Sequence, residues 1–405
     1  MSERVVIVGA GQGGLQVAAS LRQDGFAGTI TLIGDEPGLP YQRPPLSKAY
    51  MKDGDDSRLA LKPASFFETA TVDYRPQTVV AGIDRQAGEV VLDGGARLGF
   101  DHLVLATGAR NLRPPLTGLD LPGVHELRGL ADAARLRAAM AGAKRVAVIG
   151  GGFIGLEFAA VAAAAGLQVT VIEAADRLMS RAVTPPISQR FLDFHRDAGV
   201  EVRLSSLGQG ITGTTRAEGV ELAGGSTVPA DLVLLAVGVR PNSELAAEAG
   251  LPVANGIVVD GHLQTGDPRI FAIGDCASFP LGGIATRLES VQAAADHARH
   301  VARTITGAAQ PPYDALPWFW SDQGPLKLQI AGLSTGWDDT HVLTDASGAV
   351  DTSFVFRAGR LIAVETVNQA GRHMAARKLL PGAPLMRDEL AAADWDLRAV
   401  LTAGG

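Results

Sequence analysis

Two glycine clusters are the residues here whose types and spacing most clearly suit chemistry. Gly9-Ala10-Gly11-Gln12-Gly13-Gly14 and Gly150-Gly151-Gly152-Phe153-Ile154-Gly155 both fit G-x-G-x-x-G. In that spacing the first glycine (Gly9, Gly150) permits a tight turn. The second (Gly11, Gly152) lets backbone approach a pyrophosphate, and the third (Gly14, Gly155) lets helix and strand pack closely. The N–H groups at the helix start then face the phosphates. An acid about twenty residues further on accepts hydrogen bonds from ribose hydroxyls. Asp35, with Glu36 beside it, stands in that place after the first cluster, and Glu173 after the second. A carboxylate at Glu173 repels a 2′-phosphate and binds a free 2′-hydroxyl, which favours NADH over NADPH. Arg177 and Arg181 lie just downstream. Arg177 fits either a contact to the adenosine phosphates or a solvated surface position. Two dinucleotides in one chain point to electrons passing between them.

Other chemistries are excluded. Cys276 is the only cysteine. No internal disulfide, four-cysteine metal site or iron–sulfur cluster can form, and no electron relay through a cysteine pair is open. Cys276 is read as a small buried residue. His297 and His300 stand three apart on a helical stretch, with no Cys or clustered acid to complete a metal site. They are read as solvated, and no metal is expected. No G-x-S-x-G nucleophile motif occurs. The net charge of −7 argues against a nucleic-acid partner, which calls for a basic stripe. Met1-Ser2-Glu3-Arg4 runs directly into Val5–Val8 with no charged-then-apolar leader. The longest apolar stretch, Phe158 to Leu167, falls short of the roughly 18 residues of a membrane span. A cytoplasmic protein without membrane association is the expectation.

The elements that must hold these residues follow from the flanking pattern. Val5–Val8 and Arg145–Ile149 read as buried parallel strands leading into the two glycine turns. Helices follow, the first with Leu15, Ala18, Ala19 and Leu21 on one side, the second alanine-rich from Leu156. Thr29–Ile33 and Val169–Ile172 are the next strands. The repeat extends further: Asp101-His102-Leu103-Val104-Leu105-Ala106-Thr107-Gly108 parallels Asp231-Leu232-Val233-Leu234-Leu235-Ala236-Val237-Gly238. Val259–Ile273 reads as strands ending at Gly274-Asp275, and Leu288–Ile305 as a helix. Gln310-Pro311-Pro312 breaks the chain before a last region. There Lys327–Ala331, Thr352–Phe356 and Leu361–Thr366 suit an antiparallel sheet, and Gly371–Leu380 and Arg387–Leu401 suit helices. The length of 405 residues fits about two to four domains. Its 49 glycines are roughly twenty more than the usual share of about 7%.

The two glycine motifs, the Ala106-Thr107-Gly108 turn and the late Gly274-Asp275 together resemble FAD-dependent pyridine-nucleotide reductases. Arg43-Pro44-Pro45-Leu46-Ser47-Lys48 and Trp318-Phe319-Trp320-Ser321-Asp322-Gln323 are similar to the oxygenase-coupled ferredoxin reductase branch. The resemblance spans essentially the whole chain and is weakest over the last thirty residues. It implies an α/β fold of the glutathione-reductase kind: two Rossmann-like dinucleotide-binding domains plus a C-terminal α+β domain. Residues 1–115 and 242–314 would form a discontinuous FAD domain, 116–241 an inserted NADH domain and 315–405 the C-terminal domain.

Carried over by position, the resemblance implies FAD contacts at Gly13, Asp35, Lys48, Val80, Arg128, Asp275 and Val291. It implies NADH contacts at the Gly150–Gly155 loop and Glu173. Lys48 and Glu157 are expected to meet beside the flavin ring as an ion pair, the catalytic candidates. The residues support part of this. Pro44-Pro45 is stiff and would fix Lys48, and a cation there would favour the anionic reduced flavin. Glu157 is a charge on a helix of Ala, Leu, Phe and Val, a place that calls for a partner. Trp320 fits flavin stacking and core equally well.

The implied activity is hydride transfer from NADH to FAD, then release of single electrons to a [2Fe–2S] ferredoxin. That ferredoxin would serve a haem (cytochrome P-450 type) or Rieske oxygenase. Rubredoxin, a quinone or a small radical is the alternative acceptor. Related NADH oxidases and peroxidases place a redox cysteine near where Ser47-Lys48 stands, and none is present. A NADH-sensing signalling protein on the same fold would need extended basic surface, which this composition lacks. Small ferredoxins are usually acidic, so Arg299, Arg303, Arg372, Arg377 and Lys378 are candidate docking residues. A monomer or weak dimer is implied.

Overall fold

A computed structural model describes residues 3–403; residues 1–2 and 404–405, at the ends of the expected outer domains, lie outside them. The chain divides into two compact units. One comprises Met1–Gln42, Asp56–Arg110 and Val239–Ala315, the other Arg43–Asp55, Asn111–Gly238 and Leu316–Gly405.

In the first unit, strand Arg4–Val8 sits at the centre of a five-stranded parallel sheet. Thr29–Ile33 and then Val72–Arg75 lie on one side, His102–Leu105 and then Ile270–Ala272 on the other. Val5 to Val8 are all buried, as both faces of a parallel sheet must be. Helix Gln12–Gln23 follows the glycine turn and packs against helix Val291–Ile305. The approach is close because Gly13 has no side chain. A Cβ there would lie 3.2 Å from Ile273 Cδ1 and 3.4 Å from the Ala294 carbonyl oxygen. The expected helix from Leu288 begins at Val291, since Ser290 caps it by accepting the Ala293 N–H at 3.0 Å. Of the stretch 259–273 only Ile270–Ala272 enters the main sheet. Residues before it turn about Asp260, whose carboxylate accepts the N–H groups of His262 and Gln264 at 2.8 and 3.0 Å. A smaller antiparallel sheet holds Val80–Asp84, Glu89–Leu92 and Arg97–Gly99.

In the second unit the arrangement recurs. Arg145–Ile149 is central, with Gln168–Ile172 and Glu201–Arg203 on one side and Leu232–Leu235 and Val124–Glu126 on the other, all parallel. Helix Phe153–Ala164 follows its glycine turn. The same unit carries a five-stranded antiparallel sheet in the order Trp318–Gln323, Leu326–Gly332, Arg360–Val367, Val350–Arg357, Asp339–Thr344. The three inner strands contain the segments that sequence pattern marks. The two edge strands are the ones it misses, since a half-exposed edge carries little apolar alternation. The expected helix over 387–401 is broken into Arg387–Ala392 and Leu397–Ala403. Asp394 and Trp395 between them take φ of 52° and 60°, and the Trp395 ring stacks on His341 with centroids 3.5 Å apart. Among the described residues no helix is long and apolar enough to cross a membrane.

Candidate functional site

The glycine turns repeat in detail. Gly9 has φ +108° and Gly150 +109°, values that L side chains rarely adopt. A Cβ on Gly9 would fall 2.2 Å from the Ala106 carbonyl oxygen, and one on Gly150 would fall 2.3 Å from that of Ala236. Ala106 and Ala236 are matching positions of the internal repeat, so each turn is wedged against the end of a neighbouring strand in the same way. Gly14 and Gly155 are equally constrained. Their Cβ atoms would lie 1.9 Å from Gly9 O and 2.3 Å from Gly150 O. Gly11 and Gly152 differ: a Cβ there meets nothing within 4 Å among the described residues. Both are helix N-caps with no side chain accepting the first-turn N–H groups. Such N–H groups call for an outside acceptor, and a dinucleotide pyrophosphate fits both places.

The acids at the strand ends are held differently. Asp35 is exposed, whereas Glu36 accepts the Tyr41 hydroxyl. Glu173 is locked in place. Its Oε2 accepts the Gly151 N–H at 2.6 Å and its Oε1 accepts the Ala175 N–H at 2.7 Å. Arg177 donates to the carbonyls of Val183 (2.7 Å) and Ser180 (2.6 Å). Neither sequence reading of Arg177 describes this: the guanidinium closes its own loop.

In the second unit, Pro44–Ser47 form one 3-10 turn ahead of Lys48. Lys48 Nζ lies 3.0 Å from Glu157 Oε1 and 4.0 Å from Asp322, so the expected ion pair is present. Glu157 is 5% exposed and receives two further donors. The Ser47 hydroxyl donates to Oε2 at 2.5 Å and the Ser321 hydroxyl to Oε1 at 2.6 Å. Three donors compensate a charge that an apolar helix would otherwise strand. The serines lie inside motifs visible in the sequence, but nothing in those motifs marks them as partners of Glu157.

The remaining candidates are divided between the two units. In the first, Val80 is buried and opens its strand, Val291 opens its helix half-buried, and Asp275 is half-buried in the 3-10 turn Gly274–Cys276. The Arg287 guanidinium donates to the Asp275 carbonyl at 3.3 Å. In the second, Arg128 is half-buried. Its N–H donates to Asp132 (3.1 Å) and its carbonyl accepts from Arg43 (2.9 Å). Trp320 is half-buried, its ring 5.7 Å from that of Trp318.

His297 corrects the sequence reading. It is fully buried rather than solvated, its ring edge-on to Phe279 and Tyr313. Burial pushes its pKa down to about 3. Its neutral Nδ1 accepts the Gly274 N–H at 3.2 Å and so braces the turn bearing Asp275. His300 is half-buried, against Tyr313 and His262. Cys276 is buried and donates to the carbonyls of Ile273 (3.2 Å) and Leu105 (3.5 Å). Burial raises the thiol pKa, which keeps it from acting as a thiolate. Among the described residues no group of three or more His, Cys, Asp or Glu could hold a metal ion.

Residues 3–298 match the pyridine nucleotide-disulphide oxidoreductase family, and residues 318–401 match the reductase C-terminal family. The chain is 49% identical to rhodocoxin reductase of Rhodococcus erythropolis over 98% of its own length and 94% of the relative's. It superposes with a TM-score of 0.95 on the ferredoxin reductase for the CYP199A2 system from Rhodopseudomonas palustris, at 47% identity over 98% of this chain and 99% of that one. Against the covalent putidaredoxin reductase–putidaredoxin complex the TM-score is 0.94 at 37% identity, over 99% and 98%. This chain belongs to the pyridine nucleotide-disulphide oxidoreductase family, and these relatives lie in the ferredoxin reductase branch that its motifs resemble.

Proposed function

We propose that this protein is an NADH-dependent ferredoxin reductase that carries FAD and passes electrons singly to a [2Fe–2S] ferredoxin serving a P-450-type or Rieske oxygenase. The observation that carries the reading is the pair of matching nucleotide turns in a chain whose only cysteine is buried. When bound, FAD accepts a hydride, two electrons at once, and gives electrons up one at a time. The protein's part is to bind, orient and supply charge.

In this reading residues 1–115 and 242–314 hold FAD, 116–241 hold NADH and 315–405 form the C-terminal domain. Gly9, Gly11, Gly13 and Gly14 seat the FAD pyrophosphate, with Asp35 on its ribose because Tyr41 engages Glu36. Val80, Asp275 and Val291, all in the first unit, line the same cofactor; Arg128 and Trp320 are further cofactor-binding candidates. Gly150, Gly152 and Gly155 seat NADH. The locked Glu173 carboxylate accepts the ribose 2′-hydroxyl and opposes a 2′-phosphate. Lys48, held by Glu157, offers positive charge where negative charge develops on hydride arrival.

The partner we propose is acidic and docks on local basic surface despite the overall −7 charge. Arg299 pairs with Asp296, Arg372 with Asp351, and Arg377 lies over the Trp318 ring. Arg303 and Lys378 are exposed and are the better docking candidates. A cytoplasmic monomer or weak dimer completes the proposal. The deciding experiment is NADH-driven turnover against a panel of [2Fe–2S] ferredoxins and rubredoxins. Reduction of ferredoxin supports the reading; reduction of rubredoxin alone replaces the acceptor and leaves the flavin chemistry standing.

A further inference from the structure

Beyond the Lys48–Glu157 pair a line of buried polar side chains continues through the second unit. Ser321, which donates to Glu157, is followed by Gln323 on the same strand and then by His195 on helix Pro185–Asp197. Gln323 Nε2 lies 3.3 Å from Ser321 Oγ, and Gln323 Oε1 lies 2.8 Å from His195 Nε2. Ser321, Gln323 and His195 are each 0% exposed. Gln323 and His195 belong to neither glycine loop and touch neither Lys48 nor Glu157 directly.

The direction of every bond in this line follows from one charge. The Glu157 carboxylate only accepts, so the Ser321 hydroxyl must point its hydrogen at Oε1. Ser321 Oγ is then left as an acceptor toward Gln323, which must present its NH2 side. That turns the amide oxygen of Gln323 toward His195, so His195 must donate from Nε2. Reversing the amide would set Gln323 Oε1 against Ser321 Oγ, whose only hydrogen is already given to Glu157. Burial lowers the His195 pKa, which suits a neutral ring with one hydrogen. Its Nδ1 has no hydrogen-bond partner among the described residues, as fits an unprotonated nitrogen.

We infer that His195 and Gln323 are positioning residues, which act through Ser321 to hold the Glu157 carboxylate and hence Lys48 in a single orientation. Without Gln323 the Ser321 hydroxyl can turn from Oε1, and the carboxylate, then held at Oε2 by Ser47, keeps its charge but can rotate, carrying Lys48 with it. The inference rests on the proposal that Lys48 and Glu157 serve hydride transfer, so its test must separate the two.

Flavin bleaching by NADH in a stopped-flow instrument, on purified holoenzyme, gives the first readout. Gln323→Leu should slow bleaching about tenfold with Glu157 present, and less than twofold in a Glu157→Gln background, where no carboxylate remains to orient. Equal slowing in both backgrounds would mark a merely structural role and overturn the inference. His195→Phe should behave like Gln323→Leu, while His195→Gln, which keeps a side-chain N–H donor, should recover most of the rate. If Glu157→Gln alone bleaches at the normal rate, the assignment of the ion pair to hydride transfer fails, and the role of the chain fails with it. If Glu157→Gln is slow and Gln323→Leu is not, only the chain is wrong. The second readout needs no turnover: ¹⁵N-histidine NMR of the wild-type holoenzyme, with His195 assigned by its loss in His195→Phe. A neutral ring protonated at Nε2 is the expected result. Protonation at Nδ1, or at both nitrogens, would contradict the bond directions.

Discussion

Glu173 differs from an ordinary surface acid in that both its oxygens are already engaged by backbone N–H groups. It cannot swing away from a 2′-phosphate, so discrimination should be firm. Glu173→Ala should lower the NADH/NADPH ratio of kcat/KM at least tenfold, checked by steady-state kinetics with both cofactors. Lys48 is anchored rather than free. Lys48→Met removes the positive charge and leaves Glu157 buried with two serine donors only. Losing one partner of a buried pair costs about 3 kcal/mol, and a lowered urea midpoint should accompany the slowed flavin bleaching. Glu157 was legible in the sequence because a charge on an apolar helix calls for a partner. Its serine donors were not, since they lie 110 and 164 residues away and only the fold brings them close. His297 was legible but misread. Ala294 and Val301, three before and four after it, are both buried, so helical spacing already put it on the apolar face.

The glycine turns, helices and sheets make separable predictions. Gly155→Ala would push a Cβ to 2.3 Å from Gly150 O, and Gly14→Ala to 1.9 Å from Gly9 O. The first variant should purify yellow, with its KM for NADH raised at least tenfold; the second should lose FAD, read from the visible absorbance. Helix Pro185–Asp197 is tied to the C-terminal sheet by a different device. The buried Glu365 carboxyl on strand Arg360–Val367 accepts the Thr184 N–H at 3.0 Å from each oxygen and the Thr184 hydroxyl at 2.5 Å. Burial raises its pKa from 4.5 to about 7, against the opposing pull of the Thr184 bonds. The folded chain therefore keeps a proton there that the unfolded chain releases. This contribution to stability is complete below about pH 4.5, declines as pH rises and is lost above about pH 7. Urea midpoints should fall over that window in the wild type, and less so in Glu365→Gln. The central strands and both turns were legible from buried apolar runs and glycine spacing. The edge strands and the break at Asp394–Trp395 were not, because exposure at an edge and a left-handed pair of non-glycine residues leave no periodic signal.

At the scale of the whole molecule, the repeat of turn, helix and acid made the two nucleotide modules readable, and the comparisons confirm that class of fold along the chain. Surfaces were not readable, because a docking face is a local charge pattern that a total of −7 does not disclose. Docking through surface charge is screened by salt, so the KM for an acidic ferredoxin should rise severalfold between about 50 and about 300 mM salt, while bleaching by NADH stays level. In the proposed function two electrons enter together from NADH and leave singly. It is tested most directly by anaerobic titration of a [2Fe–2S] ferredoxin with NADH in the presence of catalytic protein, following the iron–sulfur absorbance. Two ferredoxins should be reduced for each NADH consumed, with NADPH far slower. Flavin that bleaches with NADH yet reduces no ferredoxin in the panel would contradict it.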